Sequence, residues 1–189
     1  VDGDAVQRQS VGMPASNSSG HRLFVLRHAK SSWDNAYLDD FDRPLAPRGR
    51  RAAKAMAAHV AAIDPPPALV LCSPARRARD TLEPLTERLP SSTDVRFEED
   101  LYGAPAPLLL NRLRQVPEPT DSVLLIGHNP GLEDLVRDLG GQGDPALVAR
   151  VQAKFPTAAL AELAFDRPWR NLAAGTATLA AFVVPADLQ

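Results

Sequence analysis

Two arginines and two histidines stand where a chain of this pattern could use them for phosphoryl chemistry. Arg27 and His28 directly follow the apolar run Leu23-Phe24-Val25-Leu26, Arg77 comes shortly after Leu69-Val70-Leu71-Cys72, and His128 comes just after Val123-Leu124-Leu125-Ile126. Glu99 and Asp100 follow Val95-Arg96-Phe97. Guanidinium groups offer forked donors that match phosphate oxygens and stay charged at any working pH, so two of them with two imidazoles make a pocket for a compact dianion. A histidine among such cations should have its neutral form favoured, which leaves a ring nitrogen free to attack phosphorus. The loop Ala29-Lys30-Ser31-Ser32 and helix starts near Pro74 and Pro130 would add donors and favourable dipoles.

The elements that must position these groups alternate along the chain. Leu23 to Leu26 reads as a strand buried on both faces. After a polar loop, Pro47 opens an amphipathic helix carrying Ala52, Ala53, Met56, Ala57, Val60 and Ile63 at spacings of three and four, stopped by Pro65-Pro66-Pro67. Strand Leu69 to Cys72, a helix from about Pro74 to Leu89, strand Val95 to Phe97, helix Pro105 to Val116, strand Val123 to Ile126 and helix Pro130 to Leu139 come next. Pro84 is expected to kink or shorten the second helix. The β-like stretches Ala158 to Phe165 and Thr176 to Val184 close the chain. This alternation predicts an α/β fold with a mostly parallel, doubly wound sheet, whose ligand crevice lies beyond the carboxyl ends of the strands. Arg27, His28, Arg77, Glu99, Asp100 and His128 all fall at that edge.

Leu26-Arg27-His28-Ala29-Lys30-Ser31-Ser32-Trp33-Asp34 resembles the opening motif of the histidine phosphatase superfamily, in the small branch similar to bacterial phosphohistidine phosphatases, with Ala29 where the superfamily's signature has glycine. Asp42-Arg43-Pro44-Leu45 with Arg48-Gly49, then Ser73-Pro74-Ala75-Arg76-Arg77-Ala78, Leu101-Tyr102-Gly103 and Gly127-His128-Asn129-Pro130-Gly131 resemble the later blocks, in order. The resemblance runs from about Leu23 to Leu188. It implies a single-domain, three-layer α/β/α, phosphoglycerate mutase-like fold. It also implies His28 as nucleophile with Arg27, Arg77 and His128 holding the phosphoryl oxygens, and an Arg-Ala pairing that selects Arg77 over Arg76 and Arg79. Glu99, three residues before Tyr102, resembles the proton donor of phosphoglycerate mutase-like relatives; Asp100 and solvent are the alternatives. The implied activity is metal-independent hydrolysis of phosphohistidine in a protein, without a cofactor. A small-molecule phosphomonoesterase is the second reading, and a catalytically idle phosphoprotein-binding module the third.

Composition narrows the classes. The 189 residues suit one domain, expected over residues 21–189, with 1–20 a disordered tail or leader poor in apolar residues. Lys plus Arg number 21 against 23 Asp plus Glu, with no long block of one sign, so neither nucleic acid nor a membrane surface is an expected partner. No apolar run approaches the roughly 20 residues that cross a bilayer. The lone cysteine removes any internal disulfide, and together with a polar, acidic start it fits a cytoplasmic protein.

Competing chemistries are poorer fits. Cys72 tempts towards a cysteine phosphatase loop, but Arg77 lies one residue too close and Ala78 stands in the required place. Asp40-Phe41-Asp42 lacks the apolar strand of an aspartyl-phosphate enzyme and reads as a solvated loop. His21, His28, His59 and His128 have no metal-binding spacing. Between Ala78 and Glu99 there is little chain from which to build a lid, so an open, shallow pocket is expected.

Overall fold

The structure is a computed structural model that describes residues 20–188. Expectations for residues 1–20 therefore fall, apart from Gly20, outside the described residues.

Among the described residues, seven strands form one sheet in the order β3-β2-β4-β1-β6-β7-β5. They are β1 (His21–Arg27), β2 (Leu69–Cys72), β3 (Asp94–Phe97), β4 (Ser122–Gly127), β5 (Gln142–Gly143), β6 (Leu160–Phe165) and β7 (Thr178–Val183). β3, β2, β4 and β1 run parallel, with Leu23 opposite Val123 and Leu69 also opposite Val123. β6 pairs antiparallel with β1, β7 antiparallel with β6, and β5 parallel with β7. The carboxyl ends of β1, β2 and β4 consequently share one edge of the sheet.

The helices are α1 (Pro47–Ala61), α2 (Arg76–Thr86), α3 (Ala106–Leu113), α4 (Gly131–Leu139) and α5 (Pro145–Ala153). Because side chains alternate across a strand, each apolar run feeds two cores. Leu23, Val25, Leu71, Val123 and Leu125 pack in one cluster with Leu109 and Leu113 of α3, Leu132 and Leu135 of α4 and Val151 of α5. Phe24, Leu26, Val70, Leu124 and Ile126 pack in the other with Met56 and Val60 of α1 and Leu82 and Leu85 of α2. The result is the three-layer α/β/α sandwich.

Element boundaries shift in places for local reasons. α2 begins at Arg76 and ends at Thr86, two residues beyond Pro84, rather than running from Pro74 to Leu89. α3 stops at Leu113, beyond which Gln115 and Val116 donate to Arg112 and Leu113 in tighter turns. β6 begins at Leu160, since Ala158 has a φ of 61° and cannot continue a strand. Neither α5 nor β5 stands out in the apolar pattern: α5 buries only Val151, and both residues of β5 are exposed. α5 does carry a starting signal, the Asp144 side chain accepting from the Ala146 amide at 2.7 Å, with Pro145 next.

The segment after β1 is pinned to the chain leading into α1. Ser32 N donates to Pro44 O and Ala46 N to Lys30 O, both at 2.8 Å. Gly49 lies against the Lys30 carbonyl so closely that a Cβ there would collide with its oxygen.

Candidate active site

β1, β4 and the start of α2 bring Arg27, His28, Arg77 and His128 into one cluster. The His28 and His128 rings have centroids 5.1 Å apart, and Tyr102 meets the His128 ring edge-on at 5.5 Å. His28, Arg77 and His128 are 8%, 7% and 6% exposed. The Arg77 guanidinium carbon lies 5.8 Å from the centre of the Tyr102 ring. Its neighbour Arg76 points elsewhere, 53% exposed and 3.9 Å from Asp80, so burial separates the two members of the pair.

Hydrogen bonds set the tautomers. His28 Nδ1 lies 2.7 Å from the Ala29 carbonyl oxygen, which can only accept, so Nδ1 carries the proton and Nε2 keeps its lone pair. His128 Nε2 lies 2.7 Å from the Ser73 hydroxyl, and His128 Nδ1 is buried without a partner among the described residues. If the hydroxyl donates to Nε2, the unpartnered Nδ1 is the protonated one, a donor with nothing to bind. Arg27 donates through Nη1 to the Phe155 carbonyl at 2.8 Å, while its Nε is likewise buried and unpartnered. Buried donors are normally satisfied, so two orphans in one cluster mark a place for acceptor atoms.

Burial governs the titration here more than the cations do. It pulls His28 down from 6.5 to about 4, the Ala29 hydrogen bond opposing and the Arg77 and Arg27 charges assisting. It pulls His128 to about 3, with His28 and Arg77 adding to the effect. Both rings are neutral at physiological pH, as the sequence suggested, but chiefly through lost hydration. Burial also pushes the Cys72 thiol up to about 12, and its Sγ donates to the Ser73 carbonyl; this is an inert core thiol.

Glu99 and Asp100 are not drawn into the cluster. Both are exposed on a 3-10 turn, Glu99–Leu101, and neither side chain has a hydrogen bond or ion pair among the described residues. The neighbouring Glu98 forks with Arg112 at 2.6 and 2.7 Å instead. His21 and His59 lie apart from the cluster: His21 stacks on Phe165 and bonds the Arg167 carbonyl at 3.1 Å, and His59 sits in the last turn of α1. Among the described residues, no three His, Cys, Asp or Glu side chains group as a metal site. Residues 87–93, the connection from α2 to β3, hold no helix or strand, and His28 is nearly buried where the sequence led to an open, shallow pocket.

Residues beyond the sequence-derived set complete the arrangement. Thr81 Oγ accepts from the Ala29 amide at 2.9 Å and donates to the Arg77 carbonyl at 2.6 Å, tying the His28 loop to α2. Asp40, read from sequence as part of a solvated loop, accepts from Arg77 Nη2 at 2.8 Å and from the Tyr102 hydroxyl at 2.7 Å. Arg43, 6% exposed, donates to Ser31 Oγ, Ser32 O and Asp40 Oδ1 at 2.6, 3.0 and 2.9 Å. Tyr102 and Ser73 belong to the motif blocks, which is the signal that could have promoted them; nothing local flags Asp40 or Thr81.

Chemically, the cluster offers one nucleophilic nitrogen, one arginine from each of two elements and a neutral imidazole donor, a set suited to a tetrahedral oxyanion. Comparisons with known proteins agree. The family model of the histidine phosphatase superfamily (branch 1) matches residues 23–106. An uncharacterized protein of Mycobacterium tuberculosis is 36% identical over 163 residues, covering 85% of this chain and 99% of that protein. The solved structure of a proposed phosphohistidine phosphatase SixA from Nakamurella multipartita superposes with a TM-score of 0.77 at 29% identity, covering 88% of this chain and 96% of that one. Its counterpart from Agrobacterium tumefaciens gives 0.73 at 30% identity, covering 87% and 98%.

Proposed function

We propose, since this chain belongs to the histidine phosphatase superfamily and to its SixA-like branch, that it is a hydrolase that removes the phosphoryl group from phosphohistidine in a protein. His28 Nε2 attacks phosphorus as the bond from phosphorus to the substrate imidazole breaks. The released nitrogen takes a proton, and water then cleaves the phosphate from His28 to give inorganic phosphate and free histidine. Arg27, Arg77 and His128 Nδ1 donate to the phosphoryl oxygens through both steps.

The observation that carries this reading is the pair of unpartnered buried donors, Arg27 Nε and His128 Nδ1, beside a neutral His28 whose Nε2 is free. The exposed, unengaged carboxylates of Glu99 and Asp100 support a proton supplied by solvent. An imidazole leaving group tolerates this because its nitrogen is readily protonated, whereas an alkoxide leaving group needs a positioned acid. A phosphoprotein substrate is favoured over a sugar phosphate for that reason. The experiment is rapid alkaline quenching during turnover of a phosphohistidine protein, followed by mass mapping. An acid-labile phosphate should be found on His28, and His28→Ala should abolish turnover. Near-normal activity in that variant, or a strong kinetic preference for a small sugar phosphate over every phosphohistidine substrate, would overturn the proposal.

A further inference from the structure

Asp40 is placed against the phosphoryl clamp with no role in the chemistry above. Its Oδ2 accepts from Arg77 Nη2 and the Tyr102 hydroxyl, its Oδ1 from Arg43 Nη1, and its backbone carbonyl from Arg77 Nη1. Both terminal nitrogens of Arg77, the fork that would be offered to a phosphoryl group, therefore end on one residue.

We propose that Asp40 is a positioning residue that serves as the resident counter-anion of the clamp. It holds the Arg77 fork while the site is empty, yields Arg77 Nη2 to a phosphoryl oxygen as substrate binds, and takes it back as inorganic phosphate leaves. This rests on the function proposed above.

Asp40 has the properties such an exchange needs. The Tyr102 hydrogen bond, with Arg77 assisting, holds its carboxyl below the usual carboxylate range, so it stays an anion and is not the missing proton donor. When it releases Arg77, it is not stranded. Arg43 Nη1 and the Tyr102 hydroxyl still hold it, and the side chain is 52% exposed, so water covers the rest. Arg43 is anchored in turn by Ser31 and Ser32, which gives the carboxylate a fixed pivot. Without Asp40, Arg77 would be a nearly buried cation lacking compensation, and a compact dianion would bind it more tightly than turnover allows.

The test is Asp40→Asn, which keeps the shape and removes the charge, assayed by inhibition of phosphohistidine-protein turnover with inorganic phosphate and by direct titration with vanadate. The inhibition constant for phosphate should fall by about three- to tenfold, with KM falling in parallel and kcat not rising. Asp40→Glu should restore the wild-type constant. A merely structural role would loosen Arg77 and raise both constants. A phosphate inhibition constant at or above the wild-type value in Asp40→Asn overturns the exchange. If the wild-type protein itself binds neither phosphate nor vanadate, the functional reading fails first and takes the exchange with it.

Discussion

Ser73 Oγ and His128 Nε2 meet at 2.7 Å where β2 and β4 end side by side, and this contact decides which nitrogen of His128 faces the cluster. The serine oxygen is also within 3.4 Å of the Ala75 amide, from which it accepts, so its own hydrogen is free to point at the imidazole. Ser73 thus makes His128 a donor at Nδ1 without charging it.

Removing that hydroxyl should cost rate more than affinity. In Ser73→Ala the ring can take either tautomer, and the one with an unprotonated Nδ1 repels a phosphoryl oxygen. We expect kcat to fall about tenfold or more, with KM changed less, measured on a phosphohistidine protein and on an aryl phosphate. An unchanged kcat would show that His128 holds its tautomer without Ser73.

The arginines should separate sharply. Arg27→Ala and Arg77→Ala each remove a buried donor from developing negative charge, for which losses of about a hundred- to a thousandfold in kcat are expected. Arg76→Ala, with its side chain largely in solvent beside Asp80, should stay close to wild type. Equal damage at Arg76 would mean that the wrong arginine has been assigned to the clamp.

Stability should depend on pH through the two buried imidazoles. Unfolded, each binds a proton near 6.5; folded, His28 does so only near about 4 and His128 near about 3. The unfolded chain therefore binds more protons throughout that window, so stability is greatest above about 6.5 and declines as pH falls towards 4 and then 3. Thermal melts across this range should show the decline, and a His28→Asn, His128→Asn double variant should flatten it. For the same reason the acid limb of kcat/KM should lie well below 6 rather than near the ordinary histidine value.

What could be read from the sequence was what neighbours in the chain decide. Three apolar runs announced the inner parallel strands, and polar residues soon after them could only lie at one edge of the sheet; that logic put Arg27, His28, Arg77 and His128 at that edge. Asp40 escaped it because the two partners that tie it to the site, Arg77 and Tyr102, stand 37 and 62 residues further along, and nothing in Asp-Phe-Asp hints at either. The exposure of Glu99 was equally hidden: its spacing from Tyr102 resembled a proton donor, and only the structure shows the carboxylate in solvent on a 3-10 turn beside a Glu98 that pairs with Arg112. α5 was missed because a helix that buries a single side chain leaves almost no periodic trace.

The Thr81 hydroxyl bridges the Ala29 amide and the Arg77 carbonyl, joining the strand end that bears His28 to the helix that bears Arg77. The span between those two groups is thereby a fixed dimension of the folded chain, not something each incoming substrate must assemble. The placing of the two backbones was completed when the protein folded, and only the Arg77 guanidinium is left to change partners at each turnover.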